Sequence, residues 1–375
     1  MSVSRISALG AIALSGALAL SACASENNGA QPGTGSTGAG GASSAAGDCF
    51  SGDLKAEGSS AQKNAIDEAI KAYQTACADA NIDYQPTGSG AGIKQFIAKQ
   101  VDFAGSDSAL KTVPKDGKIE AQDAKAACGS DAWNLPMVTG PIAIAYNVKG
   151  VDKLVLNAEV AAKIFDGKIT AWNDPAIAAL NKGVTLPSTP IKVFFRSDES
   201  GTTENFTKYL KAAAPDAWSY ETGKKWTGKG EGKEKSAGVA TATKNQDGGI
   251  TYVELSYAQQ NQLPMAQIDT GSGPVALTAE SAGKTIATAK QTGTGNDLAL
   301  KIDYATKEAG AYPIVLVTYE VVCSKYADAA TGKKVKSFLK TFSSDEVQKG
   351  LEAKGYAPLP TEVATKVKTA VDAIS

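Results

Sequence analysis

Residues 191 to 213 hold a strand, a polar turn and a helix in immediate succession, and that unit restricts the fold more than any other stretch. Ile191-Lys-Val-Phe-Phe195 is an apolar run of strand character, and Phe206, Tyr209, Leu210 and Ala213 recur at helical spacing. Between them lies only Arg196-Ser-Asp-Glu-Ser-Gly-Thr-Thr203. A strand that passes to a helix through so short a turn belongs in an α/β layer architecture. The turn also has the makings of an anion trap. Arginine offers a planar fork of five donors that matches an oxyanion. Small hydroxyl residues and Gly201 then open a helix whose first amides are unpaired and carry the positive end of its dipole. Serine and threonine start many helices with no ligand present, so the turn has to be read with the rest of the chain.

The same alternation of short apolar runs and helical periodicity continues throughout. We expect a strand near Asp53 to Ala56 and a helix from Ala61 to Cys77, in which Ile66, Ile70, Tyr73 and Cys77 form one stripe. A second helix is expected after Gly92, burying Ile93, Phe96 and Ile97, followed by a strand over Val101 to Gly105. Helices are expected over Val160–Phe165 and Pro175–Leu180, and a strand over Gly249–Val253. The runs Ile142-Ala-Ile-Ala-Tyr146 and Ile314 to Val322 read as central strands and as the two places where the chain crosses between domains. With 375 residues and 43% hydrophobic content, two domains are the expectation.

Charge and residue usage narrow the chemistry. The formal charge is −1 and no stretch concentrates lysine and arginine, which argues against a nucleic-acid partner. The chain has no histidine. That removes a Ser-His-Asp triad, a Cys-His dyad and the usual histidine-containing zinc sites. The glycine-rich charged run Gly228 to Lys235 reads as a solvated loop.

The N-terminus has the features of an export signal: Arg5, then an apolar stretch from Ile6 to Leu20, too short to span a membrane comfortably. Leu20-Ser-Ala-Cys23 resembles the lipobox of bacterial lipoproteins, in which the cysteine is lipidated and becomes the mature N-terminus. From Ala24 to Gly47 the composition is mostly Gly, Ser, Ala, Thr and Asn, a flexible tether with a root-mean-square reach of roughly 25 to 30 Å. Of the five cysteines, Cys49, Cys77, Cys128 and Cys323 remain after Cys23. An even number in an exported chain favours two disulfides, with three pairings open. Cys49 with Cys77 is preferred, because the first strand and its returning helix bring those ends together, and Cys128 with Cys323 follows.

Three further places repeat the pattern of strand end, glycine, small polar residue and helix start. They are Gly58-Ser-Ser60, Thr87-Gly-Ser-Gly-Ala-Gly92, and Gly105-Ser-Asp107, in which a carboxylate replaces the hydroxyl. No phosphate-binding loop of the nucleotide-binding type occurs, and Gly88 to Gly92 lacks the spacing of a dinucleotide fingerprint.

Taken together, Tyr84-Gln-Pro-Thr-Gly-Ser-Gly-Ala-Gly-Ile-Lys-Gln95, Val101-Asp-Phe-Ala-Gly-Ser-Asp107, Ile164-Phe-Asp-Gly-Lys-Ile-Thr-Ala-Trp-Asn-Asp-Pro175, Arg196-Ser-Asp-Glu-Ser-Gly-Thr202 and Tyr252-Val-Glu-Leu-Ser-Tyr-Ala258 carry a resemblance. In this order, across nearly the whole mature chain, they resemble the phosphate-binding protein of the bacterial high-affinity ABC phosphate importer. The resemblance implies a type II periplasmic-binding-protein fold, α/β, with a mixed central sheet in each of two domains and two hinge crossovers. It also implies the site. Ser60, the amide of Ala61, Ser89 and Asp107 would bind the anion from one domain, and Arg196, Ser200, Gly201 and Thr202 from the other, with Asp198 holding Arg196. Ser60-Ala61 stands where many members have Thr-Phe, and Gly90 where many have a second serine.

The boundaries expected are a signal peptide over 1–22, a lipidated cysteine and tether over 23–48, domain I over 49–139 with 312–375, and domain II over 140–311. The function expected is extracytoplasmic phosphate binding and delivery to the transmembrane subunits of an ABC importer. The protein is expected to act as a lipid-anchored monomer with no catalysis, cofactor or metal. Asp107 supplies the selectivity. A buried ionised carboxylate is acceptor-only, so it pairs with the proton of phosphate and meets sulfate, which has none, with an unpaired acceptor. The rival readings are a secreted phosphoesterase using Ser200 or Ser60 as nucleophile, and a binding protein for sulfate or molybdate.

Overall fold

The computed structural model describes residues 49–114 and 117–375. The expected signal peptide, Cys23 and the tether lie outside the described residues.

The chain opens with β1 (Gly52–Gly58), α1 (Lys63–Ala76), β2 (Ala80–Gln85), α2 (Ser89–Ile97) and β3 (Phe103–Ser106). Strands β2 and β3 both pair parallel to β1, on its two sides. The crossover α1 buries Ala65, Ile66, Ala69 and Tyr73, a stripe with the period of a helix that covers one face of a sheet. Helix α2 starts at Ser89, four residues earlier than expected, because Gly88 takes φ of 106° and turns the chain directly into the helix. No helix follows Asp107. Leu110 N is satisfied by Asn134 Oδ1, and the Ser106 hydroxyl by Ser108 O, so side chains replace helical partners and the chain runs on irregularly.

Next come α3 (Glu120–Cys128) and the long strand β4 (Ala132–Asn147). Residues 132–141 of β4 pair antiparallel with a strand near the C-terminus, and residues 142–147 pair antiparallel with a different one, so β4 joins two halves of the sheet. The second half is built from β5 (Val155–Asn157), α4 (Ala158–Phe165), α5 (Pro175–Leu180), β6 (Lys192–Arg196), α6 (Gly201–Ala213), β7 (Glu231–Lys233), α7 (Lys235–Lys244), β8 (Gly249–Glu254) and α8 (Leu255–Gln260). Asn157 caps α4 and Asp174 caps α5, whose first residue is Pro175. Strands β7 and β8 flank β6, both parallel to it.

After β9 (Gln267–Asp269), β10 (Pro274–Val275), α9 (Ala279–Ala287), β11 (Lys290–Gln291) and β12 (Leu300–Lys301), the chain returns through β13 (Val315–Cys323). The helices α10 (Ala329–Phe342), α11 (Asp345–Glu352) and α12 (Thr361–Ala373) complete it. The order across the main sheet is β2-β1-β3-β13-β4-β8-β6-β7, a mixed sheet with helices on its faces. Every residue of β13 is buried, and β4 is buried over almost its whole length.

Two large apolar cores lie under the two halves of this sheet. One gathers Leu54, Ile66, Phe103, Leu135, Val321, Phe338 and Val367; the other gathers Ile144, Phe165, Trp172, Phe206, Trp218 and Tyr252. A smaller cluster packs Ala282 and Ile286 of α9 against Val315, Val317 and Tyr319 of β13. The cysteines pair as preferred from sequence, Cys49 with Cys77 and Cys128 with Cys323, each with a Cα separation of 5.4 Å. No helix among the described residues is long and apolar enough to cross a membrane.

Candidate functional site

Parallel strands on either side of β1 put the C-terminal ends of β1, β2 and β3 side by side, and each end carries one of the polar turns. Such a switch point in strand order is where open α/β sheets leave a crevice for ligands. Gly58, with φ of 145°, has no alternative residue: a Cβ there would lie 2.0 Å from Gly105 O. It lets β1 run close to β3 before Ser59-Ser60-Ala61 turns into α1. Ser89 is the first residue of α2, and Asp107 directly follows β3.

The second half repeats the arrangement around β6. Arg196 is the last residue of β6, Ser200 caps α6 by accepting from the Thr203 amide, Ser236 lies in the first turn of α7 after β7, and Glu254 ends β8. Arg196 is 2% exposed, and each of its three side-chain nitrogens donates a hydrogen bond. Nε and Nη2 grip the two oxygens of Asp198, while Nη1 donates to Thr202 Oγ1 at 3.3 Å and to Ser236 Oγ at 3.1 Å. Burial works against the Asp198 charge, but Arg196 and the Lys235 amide hold its carboxyl below the usual carboxylate range. Thr202 in turn donates to Glu254 Oε1, whose other oxygen is buried without a partner.

Asp107 is the acceptor centre of the first half. Ser59 and Thr318 donate to Oδ1, and Ser89 donates to Oδ2 at 3.1 Å. Burial pushes its carboxyl up to about 6, the charge of Glu254 acts in the same direction, and the three hydroxyl donors restrain the rise.

The two halves meet at these groups. The Ser60 and Ser236 hydroxyls lie 2.9 Å apart, the Tyr257 hydroxyl donates to Ser60 O, and Asn205 Nδ2 donates to Asp107 O at 2.7 Å. Gly201 faces Asp107 so closely that a Cβ would stand 2.5 Å from both Asp107 Cβ and Ser89 Oγ. The Gly90 amide donates to Glu199 O, and a Cβ on Gly90 would lie 2.6 Å from Glu199 Cβ. Position 90 is therefore glycine where the two turns touch.

The structure thus brings Ser60, Ser89, Asp107, Arg196, Asp198, Ser200, Gly201 and Thr202 together. Ala61 is beside them, but its amide is taken by Ser59 Oγ at 3.0 Å. Sequence reasoning missed Ser236, Glu254, Ser59, Thr318 and Asn205. Ser236 carried a usable signal, since it is a small hydroxyl residue opening a helix after a glycine-rich run, as at the other turns. Thr318 and Glu254 carried none, because a polar residue within or ending a buried strand acquires its neighbours only from sheet register. No cluster of three or more metal-ligating side chains occurs among the described residues.

A family model described as a PBP superfamily domain matches residues 20–346. Phosphate-binding protein PstS 3 of Mycobacterium tuberculosis is 49% identical over 327 residues, 86% of each chain. Phosphate-binding protein PstS of Xylella fastidiosa is 33% identical over 76% of each chain. Among solved structures, a phosphate-binding protein from Stenotrophomonas maltophilia superposes with a TM-score of 0.66 at 20% identity, covering 85% of this chain and 94% of that one, which shows the shared fold.

Proposed function

The chain belongs to the PBP superfamily and, within it, to the PstS phosphate-binding proteins, and from that premise we propose that it binds inorganic phosphate and delivers it to an ABC importer. The observation that carries this reading is the convergence of Asp107 and Arg196 from opposite halves of the sheet on one buried, hydroxyl-rich place. Donors from Ser60, Ser89, Thr202, Ser236 and Arg196 supply the contacts that any tetrahedral oxyanion needs. Asp107 selects among them. Its ionised carboxylate accepts the proton that phosphate retains and meets sulfate with an unpaired acceptor and a like charge.

The two apolar cores are two lobes, joined where β4 and the start of β13 cross, near Pro141 and Ile314. Hinge movement about these crossings separates the Ser60 and Ser236 turns and releases the ligand. Cys23 anchors the protein by lipid to the outer face of the cytoplasmic membrane, the tether gives it reach, and the transmembrane subunits of the importer receive phosphate from it as a monomer. The Ser200 hydroxyl serves as a helix cap and Ser60 faces Ser236, and these partners favour binding over attack by either hydroxyl on a phosphate ester.

Calorimetry with phosphate, sulfate and arsenate on the wild type and on Asp107→Asn tests the reading. Phosphate should bind the wild type at least about a thousandfold tighter than sulfate, and Asp107→Asn should shrink that ratio. Sulfate binding as tight as phosphate would overturn the role of Asp107, and binding of neither would overturn the function.

A further inference from the structure

Glu320 lies in the middle of the β13 segment that pairs with β3. It is 0% exposed, and neither carboxyl oxygen has a hydrogen-bond partner. It sits opposite Gly105. A Cβ on Gly105 would fall 2.1 Å from Gln62 Nε2 and 2.5 Å from Tyr84 Oη, so the missing side chain makes room for Glu320, Gln62 and Tyr84 on one face of the sheet. Gln62 Nε2 donates to Tyr84 Oη at 2.9 Å, the Tyr84 hydroxyl donates to Ser59 O at 2.7 Å, and the Ser59 hydroxyl donates to Asp107. Gln62 Oε1, at the other end of that amide, is buried with no donor. The Gln62 amide, whose Oε1 lacks a donor, is the polar neighbour of a buried carboxyl that makes no well-formed hydrogen bond.

We propose that Glu320 keeps its proton at neutral pH, donates it to Gln62 Oε1, and so sets the direction of a hydrogen-bond chain that runs through Gln62 and Tyr84 and holds the Ser59–Ala61 turn against the ligand. A carboxylic acid is a donor only while protonated, and an unpartnered buried charge costs far more than a satisfied neutral group. The ionised form would reverse the chain. Gln62 would turn its amide to donate to the carboxylate, Tyr84 would donate to Gln62 Oε1, and Ser59 O would lose its donor. Burial pushes the Glu320 carboxyl up to about 8, the Gln62 amide works against the rise, and repulsion from Asp107 adds to it. The titratable groups facing it are Tyr84 from β2 and Asp107 at the end of β3, and no lysine or arginine acts on it among the described residues. Glu320 is a positioning residue, since it reaches the ligand only through Gln62, Tyr84 and Ser59.

The effect on phosphate rests on the function proposed above, whereas the proton itself is visible without ligand. Infrared spectra of the ligand-free protein at a pH of about 7.5, where Asp107 is ionised, should show a protonated-carboxyl carbonyl band. The band should be absent in Glu320→Gln and should fade in the wild type as pH rises through about 8. Phosphate calorimetry should show the wild type losing at least about threefold more affinity than Glu320→Gln between pH of about 7 and 9, because glutamine keeps a donor at every pH. Tyr84→Phe should weaken binding at all pH values. A band that survives in Glu320→Gln, or equal pH slopes for the two proteins, would overturn the proposal. If Glu320→Gln does not fold, the wild-type infrared titration decides. If no form binds phosphate while the band behaves as expected, the functional reading fails and the proton assignment stands.

Discussion

Arg196 and Asp107 show how much of the site depends on single side chains. All three side-chain nitrogens of Arg196 donate hydrogen bonds, two of them to Asp198, so the guanidinium is held rigidly and loses little freedom when an anion arrives. Arg196→Ala should weaken phosphate binding at least tenfold by calorimetry, in line with a cost of about 2 to 5 kcal/mol for a buried charged contact. Arg196→Lys should recover only part of that loss, since an ammonium cannot span Asp198 and Thr202 together. For Asp107 the sign of the pH dependence follows from its role. Below a pH of about 6 it gains a proton and becomes a donor, so sulfate affinity should rise on acidification, by up to about tenfold per pH unit. In Asp107→Asn that rise should vanish.

Among the elements, α6 and the disulfides make separable predictions. The N-terminus of α6 approaches Asp107 because Gly201 has no side chain. Gly201→Ala should prevent the two halves from meeting and weaken phosphate binding about tenfold or more. The clash is between halves and not within either core, so circular dichroism of the ligand-free variant should be unchanged. The bond between Cys128 and Cys323 ties the end of α3 to the end of β13, a separation of 195 residues. Replacing both cysteines by serine should lower the unfolding free energy by about 2 to 5 kcal/mol in a denaturant titration. Phosphate affinity should be retained, because the bond lies at the end of β13 away from Thr318.

At the scale of the whole molecule, ion pairs link the two halves of the sheet. Lys94 reaches Glu199 and Lys111 reaches buried Glu204 across the halves, while Lys208 and Lys224 flank Glu204 from its own half. Burial opposes the Glu204 charge, but the three lysines hold its carboxyl far below the usual carboxylate range. Its contribution to stability is present above the unfolded value of 4.5 and is lost as pH falls through the lower folded value. Asp107 and Glu320 act in the opposite sense. With carboxyls raised to about 6 and about 8, they bind more protons folded than unfolded, so their contributions are lost as pH rises through those values. Scanning calorimetry should therefore find maximum stability on the acidic side of neutrality, with a decline toward pH 8 that Glu320→Gln flattens. A melting temperature unchanged from a pH of about 5 to 9 would contradict this account.

What the sequence determined by itself was local. Apolar period and glycine position marked the strands, the helices and the turns between them, because those signals depend on backbone geometry and on which face of one element is buried. Arg196-Ser-Asp-Glu-Ser-Gly-Thr202 and Thr87 to Gly92 were legible for that reason, and so was the pairing of Cys49 with Cys77 across one helix. The expected helix start at Asp107 failed for a related reason: its polar neighbours satisfy the backbone through side chains, which a periodicity argument does not register. Only the tertiary structure decided what stands opposite what. Ser236 meets Ser60 across 176 residues, Thr318 meets Asp107 across 211, and Glu320 lies against Gln62 because β13 pairs with β3 in one register. Sheet register fixes these neighbours, a shift of one residue would turn each side chain to the other face, and no feature within any one segment specifies it.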